Sequence, residues 1–245
     1  MVKQFTIYGE RCSGTNYLEG LITKNFNATI TWKYGWKHFF GHNDLSNTND
    51  TLFIGIVRNP CDWLNSLFKS PHHLSNSIKP QEIPPKFNTN YAAQQIVHNR
   101  NAYNFLNNQF WSLHDNTNKE LMEDRNMYTK HRYNNIFEMR YTKLKFLIED
   151  MPKQTNHYIL IKYEDLINNF EQTMNHIKEA GNLEVKSNIH YPLNVDTYKA
   201  IASAGKFSKT YKDINKHPPL PKHKILNNKL FFQTYEKQLG YNQTA

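Results

Sequence analysis

A glycine-containing turn between a short strand and a helix constrains this chain more than any other feature. The segment Phe5–Tyr8 predicts a strand, and Gly9-Glu10-Arg11-Cys12-Ser13-Gly14 leads from it into a helix predicted to begin at Thr15. Backbone N–H groups converge where such a turn meets a helix N-terminus, and the helix dipole is positive there. The turn therefore predicts an anion-binding site at the end of the first strand.

The spacing of Gly9, Gly14 and Thr15 nearly satisfies the P-loop pattern of nucleoside triphosphatases. The P-loop has a lysine directly after its second glycine, and Thr15 stands in that place here. A loop without this lysine can still bind phosphate-like groups, but it lacks the residue that reaches the β- and γ-phosphates of ATP. The difference favours another phosphate-bearing cofactor over ATP hydrolysis.

A second motif follows a continuous apolar run, Leu52–Val57, which predicts a strand buried on both faces of a parallel sheet. Asn59 is a good helix N-cap and Pro60 suits the first helical position, so a helix is predicted from Pro60 onward. Arg58 then lies at the carboxyl end of a strand, where open α/β sheets bind ligands. Ser66 lies about two helical turns further along, and we expect the two side chains to converge on one anion.

Together, the two motifs resemble those of sulfotransferases that use 3′-phosphoadenosine-5′-phosphosulfate (PAPS). In that family a Ser-Gly-Thr turn after the first strand binds the 5′-phosphosulfate. An Arg-Asn-Pro-x-Asp-x-x-x-Ser segment binds the 3′-phosphate through its arginine and serine. The matching residues in this chain are Ser13-Gly14-Thr15, Arg58 and Ser66.

Two later segments are also similar to the family. Ile161–Leu166 resembles a strand followed by Tyr-Glu-Asp-Leu, and Tyr235–Tyr241 resembles a C-terminal helix that ends in Leu-Gly-Tyr. The middle of the chain, from about residue 70 to 129, matches no segment of the family.

The resemblance implies a PAPS-dependent sulfotransferase, with PAPS as sulfuryl donor, a hydroxyl or amine acceptor and no metal. It also implies an α/β fold in one domain spanning residues 1–245, with a mainly parallel sheet flanked by helices in the P-loop-like sulfotransferase architecture. The implied cofactor-binding residues are Arg11, Cys12, Ser13, Gly14, Thr15, Asn16, Tyr17, Arg58 and Ser66.

The chain departs from the family at the catalytic cation. Many members have Lys or Arg immediately before Ser-Gly-Thr, and this cation stabilises the bridging oxygen during transfer. Here Cys12 occupies that place and Arg11 comes one residue earlier. We expect Arg11 to supply the charge, with Lys37 as the alternative, and we interpret Cys12 as a small buried side chain.

A histidine is the expected general base, because its ordinary pKa of about 6.5 lies near neutral pH. The family has a Lys/His pair between the two cofactor motifs, which corresponds to Lys37 and His38 here. His42 is the competing candidate for the base. Tyr17 corresponds to a family aromatic that stacks on adenine, although a tyrosine there is equally compatible with the core.

Composition is compatible with an anionic cofactor. The chain of 245 residues has a formal net charge of +9, and a basic surface attracts anions. Its lysines are scattered and no nucleic-acid motif is present, so nucleic acid is not expected as a partner. Two cysteines imply neither a disulfide framework nor a zinc site. We expect a cytoplasmic protein without signal peptide or membrane segment, acting on a small-molecule or glycan acceptor.

Several interpretations stay open from the sequence. Residues 70–90 are rich in Pro, Ser and Asn and predict a long loop or lid. Helices are predicted from Tyr91 to about Leu113, from Tyr133 to about Glu149 and from Leu230 to Leu239. Arg140 and Lys143 share one face of the second of these helices, which is usually solvated but could line an anion cleft. Lys206 and Lys209 loosely match a basic loop over the 3′-phosphate. The alternative functions are a P-loop nucleotide-binding enzyme or kinase, and a catalytically inactive sulfotransferase-fold binding protein.

Overall fold

The computed structural model describes residues 2–81, 91–186, 219–222, 225, 228 and 234–241, and for residues 91–93 it describes the backbone alone. The chain divides into two compact units, Met1–Asn59 with Leu144–Ser208 and Pro60–Lys143 with Lys209–Ala245. Each unit is described by itself below, and the single domain expected from the sequence stays a prediction. None of the described helices is long and apolar enough to cross a membrane.

The first unit contains a sheet in which all described strands are parallel. These strands are β1 (Gln4–Tyr8), β2 (Thr29–Ile30), β3 (Thr51–Val57) and β4 (Tyr158–Lys162), and their order in space is β2-β1-β3-β4. Every residue of β3 is buried, as its apolar run predicts for a sheet covered on both faces. The α/β class and the parallel sheet are thus confirmed.

The path of the chain across this sheet changes direction at β1. The chain moves from β1 to β2 on one side and then crosses to β3 on the other side, where Gln4–Tyr8 pairs with Thr51–Gly55. Open α/β sheets bind ligands outside the carboxyl ends of their strands at such a switch point. The topology therefore favours a ligand site at the loops that follow β1 and β3.

The described helices lie between and after these strands. They are α1 (Thr15–Asn25), α2 (Pro60–Lys69), α3 (Tyr91–Asn107), α4 (Ile136–Lys145), α5 (Met151–Gln154), α6 (Tyr163–Asn168), α7 (Phe170–Gly181) and α8 (Tyr235–Gln238). The sequence predicted one helix from Tyr91 to about Leu113, but α3 already ends at Asn107.

Two different layers cover the faces of the sheet. On one face Phe5, Ile7 and Ile54 pack in a single apolar core with side chains of α1 and α7. On the other face the Tyr8 ring stacks on Phe40, with centroids 5.0 Å apart. The aromatic segment that precedes β3 thus packs on the second face of the sheet.

The region after α4 corrects a sequence prediction. One helix was expected from Tyr133 to about Glu149, but α4 ends at Lys145 and a π-helical turn follows at Phe146–Asp150. The Tyr158 hydroxyl donates to the Leu147 carbonyl in this turn at 2.6 Å. Gly55 makes the reach possible, because a Cβ at this position would lie 2.6 Å from the Tyr158 hydroxyl oxygen.

The second unit has its own apolar core. One face of α2 buries Trp63, Leu64, Leu67 and Phe68, and the Phe68 ring meets Phe105 of α3 edge-on with centroids 5.2 Å apart. The core explains why α2 forms, since its buried residues recur at helical spacing.

Three predicted segments reach beyond the described residues. In the predicted loop, only residues 70–81 are described, and Leu74 forms an isolated β-bridge with Ser112 there. The C-terminal helix was expected from Leu230 to Leu239, and α8 accounts for Tyr235–Gln238 of it. Lys206 and Lys209 lie outside the described residues, so the basic-loop interpretation stays a prediction.

Candidate functional site

The turn between β1 and α1 has two residues with left-handed backbone geometry. Gly14 is the N-cap of α1 with φ 96°, and Cys12 has φ 66°. Both the Ser13 N–H, at 3.1 Å, and the Ser13 hydroxyl donate to the Glu10 carbonyl. This bonding closes the turn on itself and directs the chain into α1.

The N-terminus of α1 has the features of an anion site. The first N–H groups of an α-helix have no carbonyl of their own helix to bond, and Gly14, the N-cap residue, has no side chain that could cap them. The helix dipole adds partial positive charge. Gly14 is required for space as well as for φ, because a Cβ there would lie 2.3 Å from Cδ2 of Tyr163.

Three predicted cofactor residues follow in α1. Thr15 is buried, and Asn16 accepts a hydrogen bond on its side-chain oxygen from the Lys37 ammonium. Tyr17 is also buried and belongs to the apolar core, where its ring meets Tyr163 edge-on with centroids 6.3 Å apart. Of the two interpretations of Tyr17, its packing favours the core.

Arg58 lies at the carboxyl end of β3, as the sequence predicted. One guanidinium N–H donates to the Cys12 carbonyl at 3.1 Å, which joins the end of β3 to the turn after β1. The guanidinium carbon lies 4.9 Å from the centroid of the Tyr163 ring. The positively charged guanidinium of Arg58 is therefore held beside the turn, at the switch point of the sheet.

Ser66, the predicted partner of Arg58, lies on α2 in the second unit and is partly buried. Its carbonyl accepts a hydrogen bond from the Ser70 N–H at 2.9 Å. The convergence of the Ser66 hydroxyl with Arg58 on one anion stays a prediction.

The two residues at the departure from the family pattern have different environments. Arg11 is only 2% exposed, and its guanidinium carbon lies 5.7 Å from the centroid of the Phe39 ring. Cys12 forms no disulfide and its exposure is intermediate, so the interpretation as a small buried side chain is wrong. Its carbonyl, bonded to Arg58, is the part of Cys12 with a clear role.

Tyr8 anchors the segment that carries Lys37 and His38. Its hydroxyl donates to the Tyr34 carbonyl at 2.6 Å, and burial raises the pKa of Tyr8 well above its ordinary value. The phenol is therefore protonated at neutral pH and can donate this hydrogen bond. The Gly9 N–H adds a second link, because it donates to the Lys37 carbonyl at 2.9 Å.

The Lys37 ammonium is surrounded by polar and aromatic groups. Besides Asn16 it contacts the Glu19 carboxylate at 3.2 Å. It lies 5.5 Å from the ring centroid of Trp32 and 5.2 Å from that of Trp36. These contacts hold the ammonium beside the first turn of α1, where anionic groups are also favoured.

His38 is bonded to the start of the anion turn. Its Nδ1 lies 2.7 Å from the Gly9 carbonyl oxygen. A carbonyl oxygen only accepts hydrogen bonds, so Nδ1 carries the proton and the neutral ring has its lone pair on Nε2. This is the tautomer that a base acting through Nε2 requires. His42 is partly buried, and the choice between His38 and His42 as the base stays a prediction.

Two residues that sequence reasoning did not assign to the site lie in it. Tyr163, the first residue of α6, contacts Gly14 and Arg58 as described. The carboxylate of the next residue, Glu164, accepts a hydrogen bond from the Asn59 N–H at 2.7 Å. A signal was available, because both residues directly follow β4, whose carboxyl end lies beside that of β3.

Arg140 and Lys143, in the second unit, correct a further prediction. Neither lies on a solvated face, since their side chains are 4% and 3% exposed. Arg140 bonds the Glu236 carboxylate at 2.5 and 3.1 Å, and the Lys143 ammonium lies 3.0 Å from the Asp124 carboxylate. Both charges are buried in ion pairs, which gives them a structural role.

No protein-family model matches this chain, and no curated protein matches it either. The candidate site is therefore interpreted from its own residues.

Proposed function

We propose that this protein is a sulfotransferase that transfers a sulfuryl group from PAPS to a hydroxyl or amine of a small-molecule or glycan acceptor. One observation carries the proposal: the turn from Gly9 to Gly14 and the Arg58 guanidinium meet at the switch point of a parallel sheet. Thr15 in place of the P-loop lysine favours PAPS over ATP. The P-loop-like sulfotransferase architecture is part of the proposal.

The residues at this point have the chemistry that the cofactor needs. The N-terminus of α1 and the turn before it offer backbone N–H groups for the 5′-phosphosulfate. Arg58, with Ser66 as its proposed partner, offers the donors for the 3′-phosphate, since a guanidinium suits phosphate recognition. When bound, PAPS would supply the sulfuryl group that is transferred.

His38 is the proposed general base. Its Nδ1–H bond to the Gly9 carbonyl leaves the lone pair on Nε2. Nε2 takes the proton of the acceptor hydroxyl or amine as the new bond from that oxygen or nitrogen to sulfur forms. The bond from sulfur to the bridging oxygen breaks, and the electron pair goes to the phosphate oxygen. Arg11 or Lys37 and the N–H groups of α1 stabilise this developing charge.

Nucleotide binding tests the cofactor assignment. We expect adenosine-3′,5′-bisphosphate to bind more tightly than AMP in calorimetric titration. Arg58→Ala should remove most of this preference, because a hydrogen bond to a charged group contributes about 1.5–3 kcal/mol. The matched control is Arg100→Ala, which removes an exposed arginine of α3 and should leave the preference unchanged.

Two outcomes would contradict the proposal. Equal affinity of the wild type for the two nucleotides would mean that no 3′-phosphate is read. Tighter, Mg²⁺-dependent binding of ATP would favour the P-loop kinase.

Turnover with labelled PAPS and a panel of sugars, phenols and peptides tests the base. His38→Asn is the sharpest variant, because its amide N–H can replace Nδ1–H while no basic nitrogen remains. We expect it to lose about 10²–10⁴-fold in rate and to bind adenosine-3′,5′-bisphosphate normally. His38→Ala should lose a similar factor, and His42→Asn much less. Full activity in both His38 variants would place the base elsewhere.

The same assay tests the catalytic cation. If Arg11 stabilises the leaving oxygen, Arg11→Gln should lower the rate far more than the affinity for the bisphosphate. Lys37→Gln is the competing variant. A rate that falls only in Lys37→Gln would transfer this role from Arg11 to Lys37.

A further inference from the structure

The ring of Tyr163 lies where three parts of the candidate site meet. It contacts Gly14, which ends the anion turn, and it lies under the Arg58 guanidinium. Tyr17 of α1 packs against it edge-on. Tyr163 itself is only partly buried, at the edge of the apolar core. One aromatic side chain thus contacts the turn after β1, the end of β3 and the first helix.

These contacts restrain Arg58 in a way that suits phosphate recognition. Stacking on a ring engages the face of the planar guanidinium, whereas its N–H donors point outward in the plane. The bond to the Cys12 carbonyl restrains rotation within that plane. The ring contact and the bond to the Cys12 carbonyl together restrain the position of the guanidinium and its donors.

The contact with Gly14 links Arg58 to the anion turn. The close approach of the Tyr163 ring depends on the missing side chain at Gly14, where an added Cβ would lie 2.3 Å away. A shift of the ring would therefore move both the turn and the guanidinium. Tyr163 thus contacts both proposed phosphate sites, the anion turn and Arg58.

We propose that Tyr163 is a positioning residue for the nucleotide, which orients Arg58 so that the 3′-phosphate is read. This inference rests on the proposed function. The flat ring is the part of Tyr163 to which we assign this role. Stacking requires a flat ring on one side and a planar cation on the other.

The test measures the ratio of dissociation constants for AMP and adenosine-3′,5′-bisphosphate in the full chain. Tyr163→Phe should keep the wild-type ratio, whereas Tyr163→Leu should lower it about three- to tenfold, as expected for loss of a cation–π contact. The control is Tyr141→Leu, which removes a tyrosine that packs on Tyr235 in the second unit. If Tyr163 had only a structural role, Tyr163→Leu would weaken the binding of both nucleotides equally and leave the ratio of dissociation constants unchanged.

A second variant tests the cation side of the contact. Arg58→Lys keeps the charge but has no planar face to stack, so it should lower the ratio, and Tyr163→Leu in that background should lower it no further. If Tyr163→Leu does not fold, Tyr163→Phe still tests the inference, because a lowered ratio in that variant would contradict a role of the ring alone. An unchanged ratio in Arg58→Lys would overturn the inference.

The outcomes separate the inference from the function on which it rests. A wild type that binds both nucleotides equally would refute the proposed function, and the role of Tyr163 with it. A wild type that prefers the bisphosphate, together with a Tyr163→Leu variant of unchanged ratio, would overturn the role of Tyr163 alone.

Discussion

Replacing Glu236 by leucine should destabilise the second unit by removing one half of a buried ion pair. The Arg140 guanidinium bonds the Glu236 carboxylate at 2.5 and 3.1 Å, and the two side chains are 4% and 5% exposed. The guanidinium carbon also lies over the Trp63 ring, 4.7 Å from its centroid. In Glu236→Leu the Arg140 guanidinium stays buried but has lost the carboxylate that neutralises its charge.

The size of the effect follows from the burial. Removing one partner of a buried pair costs about 3–5 kcal/mol, because the remaining charge is neither solvated nor paired. The exposed pair Lys145–Glu149, whose side chains are 35% and 40% exposed, is the matched comparison. An exposed i,i+4 pair contributes about 0.3–0.5 kcal/mol, so Glu149→Gln should cost roughly a tenth as much.

Urea unfolding followed by circular dichroism measures both variants. The double variant Arg140→Met with Glu236→Leu should recover most of the loss, since two apolar side chains can replace a buried pair. A loss below about 1 kcal/mol in Glu236→Leu would refute the reasoning. So would a double variant that is less stable than Glu236→Leu alone.

Three further predictions concern stability. Gly55→Ala should lower the free energy of unfolding by about 1–3 kcal/mol, because the new Cβ would lie 2.6 Å from the Tyr158 hydroxyl oxygen. Adding Tyr158→Phe should restore part of this stability. Equal melting temperatures for wild type and Gly55→Ala would contradict the prediction. Cys12→Gly should stabilise by up to about 1 kcal/mol, because φ 66° strains a side chain; a lower urea midpoint would contradict it. The hydrogen bond from Arg132, together with its positive charge, lowers the pKa of Glu120 in the folded protein. The ionised Glu120 therefore stabilises the fold fully above the unfolded pKa of about 4.3, and this stabilisation is lost as pH falls through the lower folded pKa. The advantage of wild type over Glu120→Gln in urea should therefore be present at pH 7 and shrink below about pH 4, and an advantage that grows in acid would reverse the assigned sign.

The anion turn and the central strand could be predicted because their signals are local. The apolar run of β3 and the glycine spacing before α1 are each contained within a few residues. Arg58 could be placed for the same reason, since it directly follows β3. These features need no partner from a distant part of the chain.

The ion pairs could not be predicted, because burial of a charge depends on a distant partner. Glu236 lies 96 residues from Arg140 along the chain, and the spacing of Arg140 and Lys143 alone is typical of a solvated face. The π-helical turn at Phe146–Asp150 has a similar origin. It contains the carbonyl that accepts the Tyr158 hydroxyl, and Gly55 of a third segment leaves room for that contact.

Gly9 joins the proposed cofactor loop to the proposed base, and this bears on the choice between an enzyme and an inactive binding protein. Its N–H donates to the Lys37 carbonyl and its own carbonyl accepts from His38. A side chain cannot be added there without displacement, since a Cβ would lie 2.7 Å from the Ile56 carbonyl oxygen. A loop that only binds anions needs no histidine bonded to its first residue. A transferase can use such a histidine, because the proton must leave the acceptor beside the group that is transferred. The bonding of Gly9 therefore favours the enzyme.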